Sequence, residues 1–196
     1  MSMEKFRPKG DEGISTEIPT VSGELYERTR EALAEEGYTF VVDIKPLSIG
    51  QLFVFVSFPK YIRNIVSPQM EVAINPNNLR IEGSNSESTD AQIEMIAKEE
   101  ARLKGKLPQE ARGVISMCMQ RAPVLVQLER AYKEDTGKVL FTDWSGRTDT
   151  QTVPGYVATV GRNYPSYRFD VADCSRDTGN KFIFAVPAVV LPRKLS

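Results

Sequence analysis

Stretches with strand patterning occupy both flanks of this chain, and within each flank no stretch of helical patterning lies between one strand and the next. This spacing constrains the fold more than any other feature, because parallel neighbours need a crossover of a dozen or more residues, usually a helix. The class expected is therefore α+β. We expect a mainly antiparallel sheet or a small, partly open barrel, with an N-terminal helix and a central helical block at about 89–137.

The local patterns supply the elements. Ser22 can cap a helix over 23–36, with Leu25, Thr29, Ala32 and Leu33 as its apolar stripe and Gly37 as its stop. Phe40, Val42 and Ile44 then alternate with Val41, Asp43 and Lys45. A turn at 46–50 would join that strand to a second, over 52–58, as a hairpin. Residues 70–74 and 79–82 read as two short strands joined at Asn75-Pro76-Asn77-Asn78. Thr89 and Gln92 have the form of a capping box. They open a helix with Ile93, Ile96, Ala97 and Leu103 along one side, up to Gly105. Pro108 suits the first turn of a second helix reaching about Arg121, and Pro123 opens or kinks a third that ends at Gly137. Strand patterning returns at 139–141, 155–160, 167–173 and 181–191. Pro187 in the last of these implies an edge strand, a bulge or a bend.

With 196 residues, 41% of them hydrophobic, the chain can bury a sizeable core without staples. The reading is a flexible arm over 1–21 and a single domain over 22–196. No stretch approaches the ~20 apolar residues of a membrane helix. The polar opening segment lacks the apolar centre of a secretory signal. A cytoplasmic protein with no membrane partner is the expectation. Cys118 and Cys174 belong to no CxxC pattern and read as reduced, buried thiols.

Function is bounded mostly by absences. The chain has no histidine, which removes histidine-dependent triads, dyads and zinc sites. No Gly-rich phosphate loop and no GxSxG nucleophile elbow is present. The run from Arg30 to Gly37 invites comparison with the Nudix box, but its Glu35-Glu36 pair falls one residue late. That displacement rotates the pair by about 100° around a helix. Lys98, Arg102, Lys104 and Lys106 sit where a helix end would welcome positive charge. Met117-Cys118-Met119 reads as core or subunit interface.

Two segments carry candidate chemistry. The first, 143–150, reads as a loop with two acids, an arginine and the only tryptophan. Asp143, Arg147 and Asp149 could form an acid-and-arginine catalytic site, with or without a divalent metal, while Trp144 would anchor the loop to the core. In the second, Arg162, Tyr164, Tyr167 and Arg168 interleave guanidinium groups with aromatic rings, which suits a single-stranded nucleic acid or an anionic ligand. Three functions stay open. The first is an interaction or binding protein, such as an adaptor, regulatory or assembly subunit, with a protein partner or self-association. The others are an OB-like binding module for nucleic acid or anionic ligands, and a histidine-free enzyme. No catalytic residue, metal or cofactor is assigned under the first.

Overall fold

A computed structural model of the chain describes residues 17–53, 63–162 and 169–195. Helices and strands are mixed, the sheets are predominantly antiparallel, and one sheet curls into a half-barrel. Among the described residues no helix is long and apolar enough to cross a membrane.

The elements in chain order are β1 (Thr20–Val21), α1 (Gly23–Glu35), β2 (Phe40–Ile44), α2 (Ile49–Leu52) and β3 (Met70–Ile74). They continue with α3 (Thr89–Lys106), α4 (Gln109–Arg112), β4 (Ser116–Cys118) and α5 (Ala122–Thr136). The last six are β5 (Ser145–Gln151), β6 (Tyr156–Arg162), β7 (Phe169–Ser175), β8 (Ile183–Phe184), β9 (Ala188–Val190) and β10 (Arg193–Lys194). One sheet has the order β2-β3-β9-β4 and is antiparallel throughout. The other has the order β7-β6-β5-β8, with β8 parallel to β5. β1 and β10 form a separate parallel pair.

Several local expectations are corrected. Phe40–Ile44 pairs with Met70–Ile74, from Phe40 opposite Ile74 to Ile44 opposite Met70. The turn expected at 46–50 becomes the start of α2. There Ser48 Oγ accepts from the Gln51 amide at 3.2 Å, and Gln51 Oε1 accepts from the Ser48 amide at 2.8 Å. This reciprocal capping box satisfies two otherwise orphaned donors and turns the chain into a helix. Residues 54–58 of the expected second strand lie outside the described residues. Residues 79–82 form no strand, and only the Ile81 amide pairs across, with Ala185 O at 3.0 Å.

In the helical block, Ser88 and not Thr89 caps α3, accepting from the Ala91 amide. Gln92 turns inward, where Nε2 donates to Ser84 O at 2.6 Å and Ile183 O at 3.2 Å. The second expected helix stops at Arg112, and Ser116–Cys118 is instead an edge strand on β9. α5 starts and ends as its Pro123 and Gly137 require, Gly137 taking a left-handed φ of +70°. Residues 139–141 form no strand, because the Leu140 and Phe141 amides donate to the buried Glu129 carboxylate at 2.7 and 3.2 Å.

The first sheet is buried on both faces. Val42, Ile44, Val72, Ile74 and Ala188 pack toward α5 and the second sheet. Alternate residues Ala73, Met117 and Val189 pack with Leu33 of α1 and with Ile96 and Leu103 of α3. Because its first eight residues are all buried, α5 is a central helix between layers. Each of its fully buried valine and leucine side chains is worth roughly 1.5–3 kcal/mol of burial. Pro187 sits between β8 and β9, so the bend it imposes passes the chain from the second sheet into the first.

Gly146 of β5 allows the close approach of that sheet to α5. A Cβ there would lie 2.6 Å from Val186 Cγ2 and 2.9 Å from Leu125 Cδ1. We expect Gly146→Ala to lower stability by about 1–3 kcal/mol through overpacking, measured by urea denaturation. Unchanged stability would contradict this packing of β5 on α5.

Candidate functional site

The segment expected to be a candidate loop, 143–150, is mostly strand. β5 lies inside its sheet between β6 and β8, so its polar side chains are drawn into the interior and must find partners there. Thr148 Oγ1 donates to Ala158 O at 2.7 Å. Thr150 Oγ1 accepts from the Ala122 amide at 2.9 Å, which caps the start of α5 from outside the helix. Trp144 is the anchor expected of it, edge-on to Phe141 and Phe184 with ring centroids 4.9 and 5.6 Å away.

Arg147 is 1% exposed. Its Nη1 donates to Thr89 Oγ1 at 2.9 Å and its Nη2 to Thr178 O at 2.9 Å. Longer bonds from Nη1 reach Arg176 O and Ser175 O. These partners are neutral oxygens, and burial pushes the guanidinium pKa down. Arg147 thus clamps the turn after β7 to the first turn of α3. Asp143 is exposed and accepts from Thr142 Oγ1 at 3.0 Å. Of the three candidate catalytic residues, Asp149 lines a cleft whose lining does not include Asp143 or Arg147.

The ladder between β5 and β6 explains this divergence. Arg147 stands opposite Thr159 while Gln151 stands opposite Val157, so the strand is irregular between them. Such a bulge re-aims side chains. The Asp149 amide leaves the ladder and donates to Gln120 O at 3.2 Å. Its side chain lines a cleft of about 230 Å³ with Cys118, Gln120 and Arg121, walled by apolar residues including Val66, Met70, Val124 and Val190.

Besides Arg147 Nε, Asp149 carries the other buried polar side-chain atom of this strand that is left unpaired. Its Oδ1 is buried and has no hydrogen-bond partner among the described residues. Burial pushes its pKa up to about 6, although the positive charge of Arg121 pulls the other way. The nearby Cys118 thiol is pushed up to about 11, first by burial and then by the negative charge of Asp149. Gln120 Nε2 donates to Cys118 Sγ at 3.4 Å. A thiol held this high stays protonated at neutral pH and is a poor nucleophile. Sequence spacing gives no signal for this group, because Cys118, Gln120 and Arg121 reach Asp149 only through the fold.

Arg162 Nη2 lies 3.6 Å from Glu129 Oε1, and Glu129 is itself buried. Tyr164, Tyr167 and Arg168 lie outside the described residues. Much of the basic cluster is engaged in ion pairs: Arg102 with Glu99, Lys104 with Glu100 and Lys106 with Glu36. Among the described residues no three of Cys, Asp and Glu gather as a metal ion would require. Comparison with protein-family models, curated proteins and solved structures finds no match.

A raised carboxyl pKa means that the folded state binds the proton more tightly than the unfolded state. Stability therefore falls as pH rises from about 4 to about 6, and the deficit persists above that window. Asp149→Asn removes the charge. We expect it to stabilise the protein at pH 7.5 by up to about 3 kcal/mol and to have little effect at pH 4, measured by urea denaturation. Equal effects at the two pH values would contradict the assignment.

Proposed function

We propose that this chain is a binding protein whose ligand site is the Asp149 cleft. The observation that carries this reading is an apolar-walled cleft lined by Asp149, one of whose carboxylate oxygens is buried and without a partner among the described residues. An unsatisfied buried polar atom costs about 1–3 kcal/mol, and more when charged. Elsewhere in β5 the Arg147 Nη atoms, Thr148 and Thr150 have partners, while Arg147 Nε has none among the described residues. A ligand carrying a hydrogen-bond donor or a positive charge would complete the set. The mixture of apolar walls with a few convergent polar groups is the usual make-up of a small-molecule site.

The catalytic alternative has less support. Asp149 stands in the cleft without Asp143 or Arg147, and the adjacent thiol is held protonated. A binding role needs no further group.

Val66 is 42% exposed and forms part of the cleft wall, so Val66→Trp can block the cleft without emptying the core. Saturation-transfer NMR with a mixture of small apolar amines, acids and zwitterions should reveal binding to the native chain that is lost in the variant. If no compound binds the native chain, or if binding survives in Val66→Trp, the cleft is not a ligand site.

A further inference from the structure

The cleft carries two opposite charges that do not satisfy each other. Asp149 and Arg121 both line it, and they are close enough for Arg121 to draw the carboxyl pKa downward. Yet neither enters an ion pair among the described residues, where such pairs extend to 4.0 Å. The hydrogen bond found for the Arg121 guanidinium is a long one, from Nη1 to Val66 O at 3.5 Å. Arg121 also stands at the N-terminal end of α5 with no capping bond from its own side chain. The helix dipole therefore adds positive potential on that side of the cleft. One side of the polar end suits an anion and the other suits a cation.

Resting on the reading of this cleft as a ligand site, we propose that its ligand is a free α-amino acid with an aliphatic or thioether side chain. In this arrangement the ammonium group meets the Asp149 carboxylate, while the ligand's own carboxylate meets the Arg121 guanidinium. The side chain lies against Met70, Val124 and Val190. Gln120 is also at the polar end, but its amide nitrogen is already engaged with Cys118 O at 3.1 Å.

Size agrees with this class. A cleft of about 230 Å³ lies below the usual range of drug-sized ligand sites and suits a compact molecule. Valine, leucine and methionine are of that size. The apolar wall offers no further charged group to match an acidic or basic side chain. A ligand with only one charge would leave either Asp149 or Arg121 without a counter-ion in the cleft. This is the kind of mismatch that separates analogues strongly when a site is built for hydrogen bonding.

The neighbouring concavity, about 410 Å³, is a weaker candidate. Three of its four charged residues already have partners: Glu71 accepts from Tyr26 Oη at 2.5 Å, Asp43 pairs with Lys45, and Lys194 pairs with Glu27 at 2.7 Å, which leaves Arg193.

The test is a series of ¹H–¹⁵N NMR titrations of the full chain at pH 7.5 with L-valine, L-leucine and L-methionine. Leucinamide, which lacks the carboxylate, and 4-methylpentanoate, which lacks the ammonium group, are run beside them. L-leucine should bind at least tenfold more tightly than either analogue. Asp149→Asn should abolish its advantage over 4-methylpentanoate, and Arg121→Gln its advantage over leucinamide, with thermal melts showing both variants folded. Affinity for L-leucine should fall about tenfold at pH 5, as Asp149 takes up its proton.

No saturable binding of any of the three amino acids, no advantage over the analogues, or unchanged selectivity in both variants would overturn the proposal. If singly charged amphiphiles bind and are blocked by Val66→Trp while the zwitterions show no preference, this inference fails and the cleft remains a ligand site. If no small molecule binds, both fail.

Discussion

A polar strand buried inside a sheet is the constraint on which this structure turns. Ser145–Gln151 reads SGRTDTQ, yet most of its residues are buried. Such a strand survives only if the surrounding fold supplies hydrogen bonds, because the desolvation cost of each unpaired group approaches the net gain of several ordinary contacts. The fold does so from widely separated places. Thr89 from α3 and the carbonyls after β7 receive Arg147, and the first amide of α5 binds Thr150. These bonds fix α3, α5 and the β7–β8 connection against one strand. Two side-chain atoms of the strand stay outside this arrangement, Arg147 Nε and Asp149 Oδ1.

The two sheets are interlocked by the C-terminal segment. β8 adds to the second sheet beside β5, and after Pro187 β9 enters the first sheet between β3 and β4. With α5 filling the space between layers, a shift in either sheet is transmitted to the other through one short piece of chain. The cleft lies where these parts meet, drawing residues from β3, β4, β5, β9 and the start of α5. Sites placed on such rigid elements hold side chains more accurately than sites on loops. The irregularity of β5 between Arg147 and Gln151 is what turns Asp149 out of the ladder and into this junction.

Legibility in the sequence followed the strength of the local signals. The α+β class, the antiparallel pairing, α5 between Pro123 and Gly137, and the bend at Pro187 could be read because each depends on nearby residues. The partner of β2 could not, since β3 is the better match only once both faces of the first sheet are covered. The capping box at Ser48 and Gln51 was a readable signal, overridden by the β-prone residues that follow it. Ser145–Gln151 looked like a loop because its polarity is compensated by residues as distant as Thr89 and Thr178. The three candidate acid and arginine positions separate for the same reason: the interior demanded different partners for each. Asp149 was legible as a candidate, but Arg121, Gln120 and Cys118 were not, because no spacing along the chain brings them together.

The functional account depends on the physical state of one side chain. An aspartate with one buried, unpartnered carboxylate oxygen, its burial only partly offset by Arg121 and a backbone hydrogen bond, lowers the stability of the empty protein. Proteins commonly retain such costs where a ligand relieves them. The most direct measurement is a ¹³C NMR titration of the Asp149 side-chain carboxyl in the ligand-free chain. The account predicts a midpoint at about 6. A midpoint near 3.9, that of an ordinary solvated aspartate, would mean that the carboxylate is already satisfied, and would contradict it.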